Sequence, residues 1–302
     1  MSQPAFGRLV ILGLGLIGGS LAKALRARRA VREVVGWGHR ESSLQTGLQL
    51  GIIDSYSLDL ADAVRDADVI VIATPTLIAE QMLAQLAPLV GPRTLITDVA
   101  SVKGNLLRAA QRIFGAAPAN LVLGHPIAGS ERSGVNAANG DLFLHHRVIL
   151  TPTAETDAAA LDRIRAMWQL TGAEVLEMAV DEHDRVLACT SHLPHVLAYA
   201  LVDALAGDPG QRDIFRFAAG GFRDFTRIAA SDPTMWRDIA IANRPALLTA
   251  IDLFSSHLET LRAAIDRADG TSIMATFARA KEARDEFSEL LRRQRPTTTS
   301  QE

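Results

Sequence analysis

Apolar positions change their rhythm once along this chain, near residue 179. Before that point, short apolar runs alternate with amphipathic stretches; after it, only helical spacing remains. Residues 9–12, 31–37, 68–73, 94–98, 121–124 and 148–151 are compact runs rich in Val, Ile and Leu, as buried strands are. A last short run lies at 174–177. Helical segments fall between most of them, including 20–25, 77–86, 102–113 and 157–170. This alternation predicts a parallel sheet with crossover helices, and right-handed crossovers make it doubly wound. Beyond 179 the spacing predicts helices over 193–205, 212–217, 233–267 and 273–291. Ile241, Leu248, Ile251, Phe254, Leu258 and Leu261 mark the apolar face of the third. The chain is therefore expected to be α/β, a Rossmann-type doubly wound sheet over 1–178. An all-α C-terminal domain over 179–293 and a polar, disordered tail over 294–302 follow. Long helices with broad apolar faces suit homodimerisation, and equally the core of a monomeric bundle.

The first strand runs into Gly13-x-Gly15-x-x-Gly18-Gly19-Ser20, and a helical stretch follows. Strand, Gly-x-Gly-x-x-Gly, helix is the dinucleotide fingerprint. Gly13 makes the turn, Gly15 lets backbone approach a pyrophosphate, and Gly18 lets helix and strand pack closely. Leu16 and Ile17, within the loop, are candidate cofactor contacts, and the free N–H groups at the start of the following helix favour phosphate. The stretch also imitates a signal peptide, with Arg8, an apolar run and Ala22-Lys23-Ala24. Four glycines within seven residues suit a turn better than a membrane-inserting helix.

Composition narrows the partners. A length of 302 residues allows two domains, and 31 basic against 34 acidic residues leave a net charge of −3. That gives no electrostatic case for nucleic acid or a membrane surface. Cys189 is the single cysteine, so no internal disulfide forms and a reducing, cytoplasmic compartment is expected. No apolar run reaches the roughly 18–20 residues of a membrane span.

In an open α/β sheet the ligand lies beyond the carboxyl ends of the strands. Three strand-end loops qualify. Thr74 and Pro75 follow the third strand and suit the cofactor. Asp98 to Gly104 follows the fourth, and there Ser101 could cap the next helix or hydrogen-bond a catalytic group. His125 follows the fifth at its end, before Pro126, and is the leading candidate for a base at neutral pH. His192 and His195 lie three apart near a helix start, hence on one face. With His183 they could form a metal site, but no carboxylate at suitable spacing accompanies them, and no metal is expected.

Taken together, five blocks resemble the prephenate/arogenate (cyclohexadienyl) dehydrogenase family of tyrosine biosynthesis. They are the glycine loop, Asp98-x-x-Ser101-Val-Lys103, Gly124-His125-Pro126-Ile-Ala-Gly129-Ser-Glu131-x-Ser133-Gly134, Ser191-His192-Leu-Pro194-His195, and Gly220-Gly221-Phe-Arg-Asp224-Phe-Thr226-Arg227 through Ser231-Asp232-Pro-x-Met-Trp236. The resemblance covers about residues 8–290. It implies NAD(P)-dependent oxidative decarboxylation of a cyclohexadienol, a small-molecule substrate and a homodimer built through the helical domain. It implies that His125 takes the proton from the ring hydroxyl, with Ser101 orienting it and touching the nicotinamide. Arg227 would bind a substrate carboxylate, and Glu131 and Asp224 would hold a gate around it. The competing reading of Arg227 is an ion pair with Asp224 or Glu131. His195 would face the substrate side chain beside His192, and Trp236 is either pocket wall or core.

One feature departs from the NAD pattern. An acid is expected near Gly38 to hold the adenosine ribose; Gly38-His39-Arg40 stands there instead. That removes repulsion of a 2′-phosphate, and Arg40 can attract one, so NADP use, exclusive or alongside NAD, is favoured over NAD alone. The competing classes are a β-hydroxyacid dehydrogenase and a non-catalytic NAD(P)-sensing regulator. The chain length leaves no room for an appended regulatory domain or fused mutase, so any tyrosine feedback is expected to act at the active site.

Overall fold

The computed structural model describes residues 4–130, 132–207 and 214–294. Eight strands form one sheet: β1 (Phe6–Leu12), β2 (Val31–Trp37), β3 (Ser55–Ser57), β4 (Val69–Ile72), β5 (Leu95–Asp98), β6 (Leu121–Ile127), β7 (Arg147–Thr151) and β8 (Glu174–Glu177). Their spatial order is β3-β2-β1-β4-β5-β6-β7-β8, with the doubly wound reversal between β1 and β4. Successive residues of one strand enter two cores. Leu9 and Ile11 join one apolar cluster while Val10 and Leu12 join the other, and Val69 and Val71 part from Ile70 and Ile72 in the same way. Burial on both faces is why these strands read as unbroken apolar runs. Each fully buried Val, Leu or Ile contributes about 1.5–3 kcal/mol of transfer free energy.

Helices α1 (Leu16–Ala27), α2 (Glu41–Gln49), α3 (Leu60–Val64), α4 (Thr76–Leu86), α5 (Gly104–Phe114) and α6 (Ala158–Gln169) lie between the strands. The sheet departs from the expectation of parallel strands throughout. β7 runs antiparallel to β6, and β8 is parallel to β7. Among its described residues the β6–β7 connection carries only a 3₁₀ turn, Val135–Ala137, and no crossover helix that would return the chain to the other end of the sheet. β6 also runs three residues past Gly124, placing His125 and Pro126 inside the strand opposite Ile149 and Val148. β3 went unpredicted because Ser-Tyr-Ser is a short edge strand without apolar alternation.

α7 (Val180–Leu187) continues through a π turn, Ala188–His192, into α8 (Leu193–Ala206). The exposed Cys189 lies in that turn. A 3₁₀ turn covers Ile214–Phe217, and residues 212–213 of the expected helix lie outside the described chain. α9 (Gly220–Thr226) is followed by a 3₁₀ turn, Arg227–Ala230. The single helix expected over 233–267 is two, α10 (Pro233–Ala242) and α11 (Arg244–Asp266), broken at the buried Asn243. Pro245 suits the first turn of the new helix, where no intrahelical N–H bond is lost. α12 spans Gly270–Gln294, and residues 295–302 of the expected tail lie outside the described chain.

The chain divides into two compact units, 1–247 and 248–302. In the first, α10 packs on α4, and Ile239 and Ala242 bury against Val102. The second consists of the remainder of α11 together with α12 and exposes Leu253, Leu258, Met274, Phe277 and Leu290. No helix among the described residues is long and apolar enough to cross a membrane.

Candidate active site at the carboxyl ends of the strands

The glycine loop has the geometry its spacing requires. Gly13 has φ +99°, and a Cβ there would lie 2.7 Å from the carbonyl oxygen of Ala73. A Cβ on Gly18 would lie 2.7 Å from both the Gly13 carbonyl and Ile11. Gly15, by contrast, faces nothing within 4 Å. It precedes α1, whose first turn, including Leu16 and Ile17, carries neither a side-chain cap nor an acid. Open space above a glycine at an uncapped helix start fits a pyrophosphate. Thr74 and Pro75 form the neighbouring β4–α4 turn, and the Thr74 hydroxyl is buried without a partner among the described residues. At the end of β2, His39 and Arg40 are exposed, with His39 edge-on to Trp37 at 5.0 Å. Gly38 has room for a side chain, since a Cβ would meet only Leu44 at 3.9 Å.

β6 reaches beyond the end of β5, and side chains take over the ladder it loses. The Asp98 carboxylate accepts the Gly124 N–H at 3.0 Å, and the Lys103 ammonium donates to the Gly124 carbonyl at 2.6 Å. Lys103 is fully buried and ion-paired with the equally buried Asp98. Burial pulls the Lys103 pKa down, and Asp98 pulls it back up. Pro126 has no N–H to satisfy. The result is a rigid strand end that holds His125 buried.

The Nδ1 of His125 lies 2.9 Å from Nε2 of His183, and Nδ1 of His183 lies 2.9 Å from Oδ1 of Asp184. The same carboxylate accepts the backbone N–H of Lys103 at 2.9 Å and of Gly104 at 2.8 Å. Asp184 therefore caps α5 from α7. Ser101, half-buried, does not cap α5, because that helix begins at Gly104, two residues later than a cap at Ser101 would require. Burial, then the charges of His183, Lys103 and His192, hold the His125 pKa well below the usual imidazole value. His183 is lowered by burial and partly restored by its bond to Asp184. Burial alone would raise Asp184, but bonds from His183, Lys103 and Gly104 leave it lowered and ionised.

Asn243, at the break between α10 and α11, donates to the Asp184 carbonyl at 2.8 Å and bonds Nδ1 of His192 at 3.0 Å. With Nδ1 accepting, the neutral His192 carries its proton on Nε2. That nitrogen and Nε1 of Trp236 are buried with no partner among the described residues. Trp236 lies edge-on to His192 at 6.2 Å and stacks on His195 at 3.5 Å, while packing on the Val102–Ile239–Ala242 cluster. It packs on the core and backs His195, itself a cavity-lining residue. His195 bonds the Ser191 carbonyl through Nδ1 and lines an open cavity of about 500 Å³ with Gly129, Ser130, Arg132, Arg227, Ile228 and Ser231. Two arginines in one cavity suit an anionic ligand. Asp224 is exposed and pairs with Arg223 at 3.3 Å; Glu131 lies outside the described residues. Among the described residues no three His, Cys, Asp or Glu side chains converge on a possible metal position.

Sequence reasoning named His125, His192, His195, Arg227 and Trp236, and contacts link His125 to the wall of the cavity through His183, Asp184, Asn243, His192, Trp236 and His195. It missed Asp184 and Asn243, and it gave His183 only a metal role. The one available signal was a His-Asp pair early in the first helix after the sheet.

A family model described as "prephenate dehydrogenase, nucleotide-binding domain" matches residues 21–177, and one described as "prephenate dehydrogenase, dimerization domain" matches residues 179–279. The chain is 38% identical to the cyclohexadienyl dehydrogenase of Zymomonas mobilis, covering 92% of this chain and 95% of that one. It resembles the crystal structure of prephenate dehydrogenase from A. aeolicus in complex with hydroxyphenyl propionate and NAD+ at a TM-score of 0.87 and 34% identity, over 95% of this chain and 99% of that one. Synechocystis arogenate dehydrogenase follows at 0.79 and 29%, over 93% and 99%.

Proposed function

The chain belongs to the prephenate dehydrogenase family, and on that premise we propose how its residues divide the reaction. It is an NAD(P)-dependent dehydrogenase that oxidatively decarboxylates prephenate to 4-hydroxyphenylpyruvate, arogenate to tyrosine, or both. The observation that carries the site assignment is a neutral, buried His125 held at the strand end beyond β5, linked by contacts to the arginine-lined cavity.

Gly13, Gly15, Gly18 and the first turn of α1 would hold the pyrophosphate, and Thr74, Pro75 and Ser101 the nicotinamide half. When bound, the nicotinamide accepts hydride from the ring carbon bearing the hydroxyl. His125 takes the hydroxyl proton as the carbonyl forms. Loss of the ring carboxylate as carbon dioxide then aromatises the ring, and His125 returns the proton to the same oxygen. Arg227 holds a substrate carboxylate by bidentate pairing. His195 and His192 face the substrate's side chain, with Trp236 behind His195, and Glu131 and Asp224 would hold a gate around Arg227. His39 and Arg40, beside Gly38, favour NADP use. The helical part, 179–293, makes a homodimer.

The test is formation of reduced cofactor, followed for NAD and NADP against prephenate and arogenate. His125→Asn is expected to lose turnover on the order of 10²–10⁴-fold while retaining cofactor affinity. Gly38→Asp, which the space at that position admits, is expected to move preference from NADP toward NAD. No reduced cofactor with either substrate would sink the reaction, and an unchanged His125→Asn would sink the assignment of the base.

A further inference from the structure

Three groups in a line set the protonation pattern of His125, and acceptor chemistry fixes each in turn. The Asp184 carboxylate only accepts, so Nδ1 of His183, 2.9 Å away, carries a proton. A neutral His183 then has a lone pair on Nε2, which faces Nδ1 of His125 at 2.9 Å. Nδ1 of His125 must therefore be the donor, which leaves the lone pair on Nε2. Asp184 itself is locked, because its two oxygens also accept the N–H groups of Lys103 and Gly104 at the start of α5. Asn243 holds its main-chain carbonyl from the break between α10 and α11.

We infer that His183 and Asp184 are positioning residues that fix His125 as its Nδ1–H tautomer and give the positive charge it acquires a place to go. The inference rests on the reading of His125 as the base. When the substrate O–H bond breaks and its proton joins Nε2 of His125, the Nδ1 proton can pass along the 2.9 Å line to Nε2 of His183. The imidazolium then lies against the Asp184 carboxylate, and the transfer reverses when the product oxygen takes its proton back. No oxidant or second substrate is needed. The charged and titratable groups that act on the pair are Lys103 of the β5–α5 turn, its partner Asp98, and His192 of the π turn. Lys103 and His192 oppose a proton on His125, and Asp184 draws it toward His183.

Nitrogen-15 spectra of histidine-labelled wild-type protein test the tautomer without disturbing the fold. The signals that vanish in His125→Asn should show Nδ1 protonated and Nε2 bare at neutral pH; the reverse pattern overturns the inference. Kinetics test the consequence. His183→Leu should lose kcat on the order of 10²-fold, with KM and reduced-cofactor binding little changed and the acid limb of the pH profile displaced. His183→Gln, whose carbonyl can accept from Nδ1 of His125, should recover most of that loss. Wild-type kcat in His183→Leu, or a His183→Gln as slow as the leucine variant, would each overturn it. An active His125→Asn would instead remove the reading beneath it, so the two failures stay distinct.

Discussion

His125, His183, His192 and His195 all sit below the ordinary imidazole range, and at each of them burial is the first cause. The common direction has a consequence for stability. His192 is lowered from 6.5 to about 4, so between those values the unfolded chain takes up a proton that the native one refuses. Stability therefore rises with pH across this window, is complete above about 6.5, and falls away toward pH 4. His192 alone accounts for about 3 kcal/mol of that slope. Urea unfolding at pH 7, 6 and 5 should show the fall, and His192→Gln should flatten it. An equal slope in the variant would mean that the other histidines carry it. The buried carboxylate of Asp184 is also shifted down, below 3.8, there in favour of the charged form, so its contribution is lost only at lower pH.

A strand that outruns its neighbour must find other partners for its backbone, and β6 finds Asp98 and Lys103. This ion pair lies wholly inside the protein, where removing one member costs about 3–5 kcal/mol because the other charge is left without compensation. Lys103→Met should lose stability on that scale by urea unfolding, and Asp98→Asn added to it should restore part. Lack of recovery in the double variant would show that the ladder, rather than the charge, matters. This arrangement also explains what the sequence could reveal. The strands β1, β2, β4, β5 and β7 were legible because burial on both faces leaves an apolar run that needs no partner to be recognised. The end of β6 was not, because Gly-His-Pro carries no apolar signal and its support lies in β5 and at residue 103. The break at Asn243 was hidden for a similar reason. The apolar period continues across it, and only the side-chain bonds to Asp184 and His192 give the interruption a purpose. The glycine loop and His125 could be read locally; the Asp184 cap of α5, 80 residues from Gly104, could not.

At the scale of the molecule, apolar side chains outside any core argue for a second copy. Phe277 is 54% exposed and Met274 68% exposed in the smaller compact unit. Sedimentation at micromolar concentration should give twice the chain mass of 32.4 kDa, and Phe277→Glu should shift the population toward one chain. A wild-type protein that sediments as a single chain would refute the homodimer. The π turn that ends at His192 offers a different kind of access. Its exposed Cys189 is the only thiol in the sequence, so a maleimide dye attaches to each chain at one position. That position is three residues from a histidine bonded to Asn243 and edge-on to Trp236. The fold has thus built in a spectroscopic handle: events around the candidate site can be followed as a change in fluorescence without engineering a cysteine or removing one.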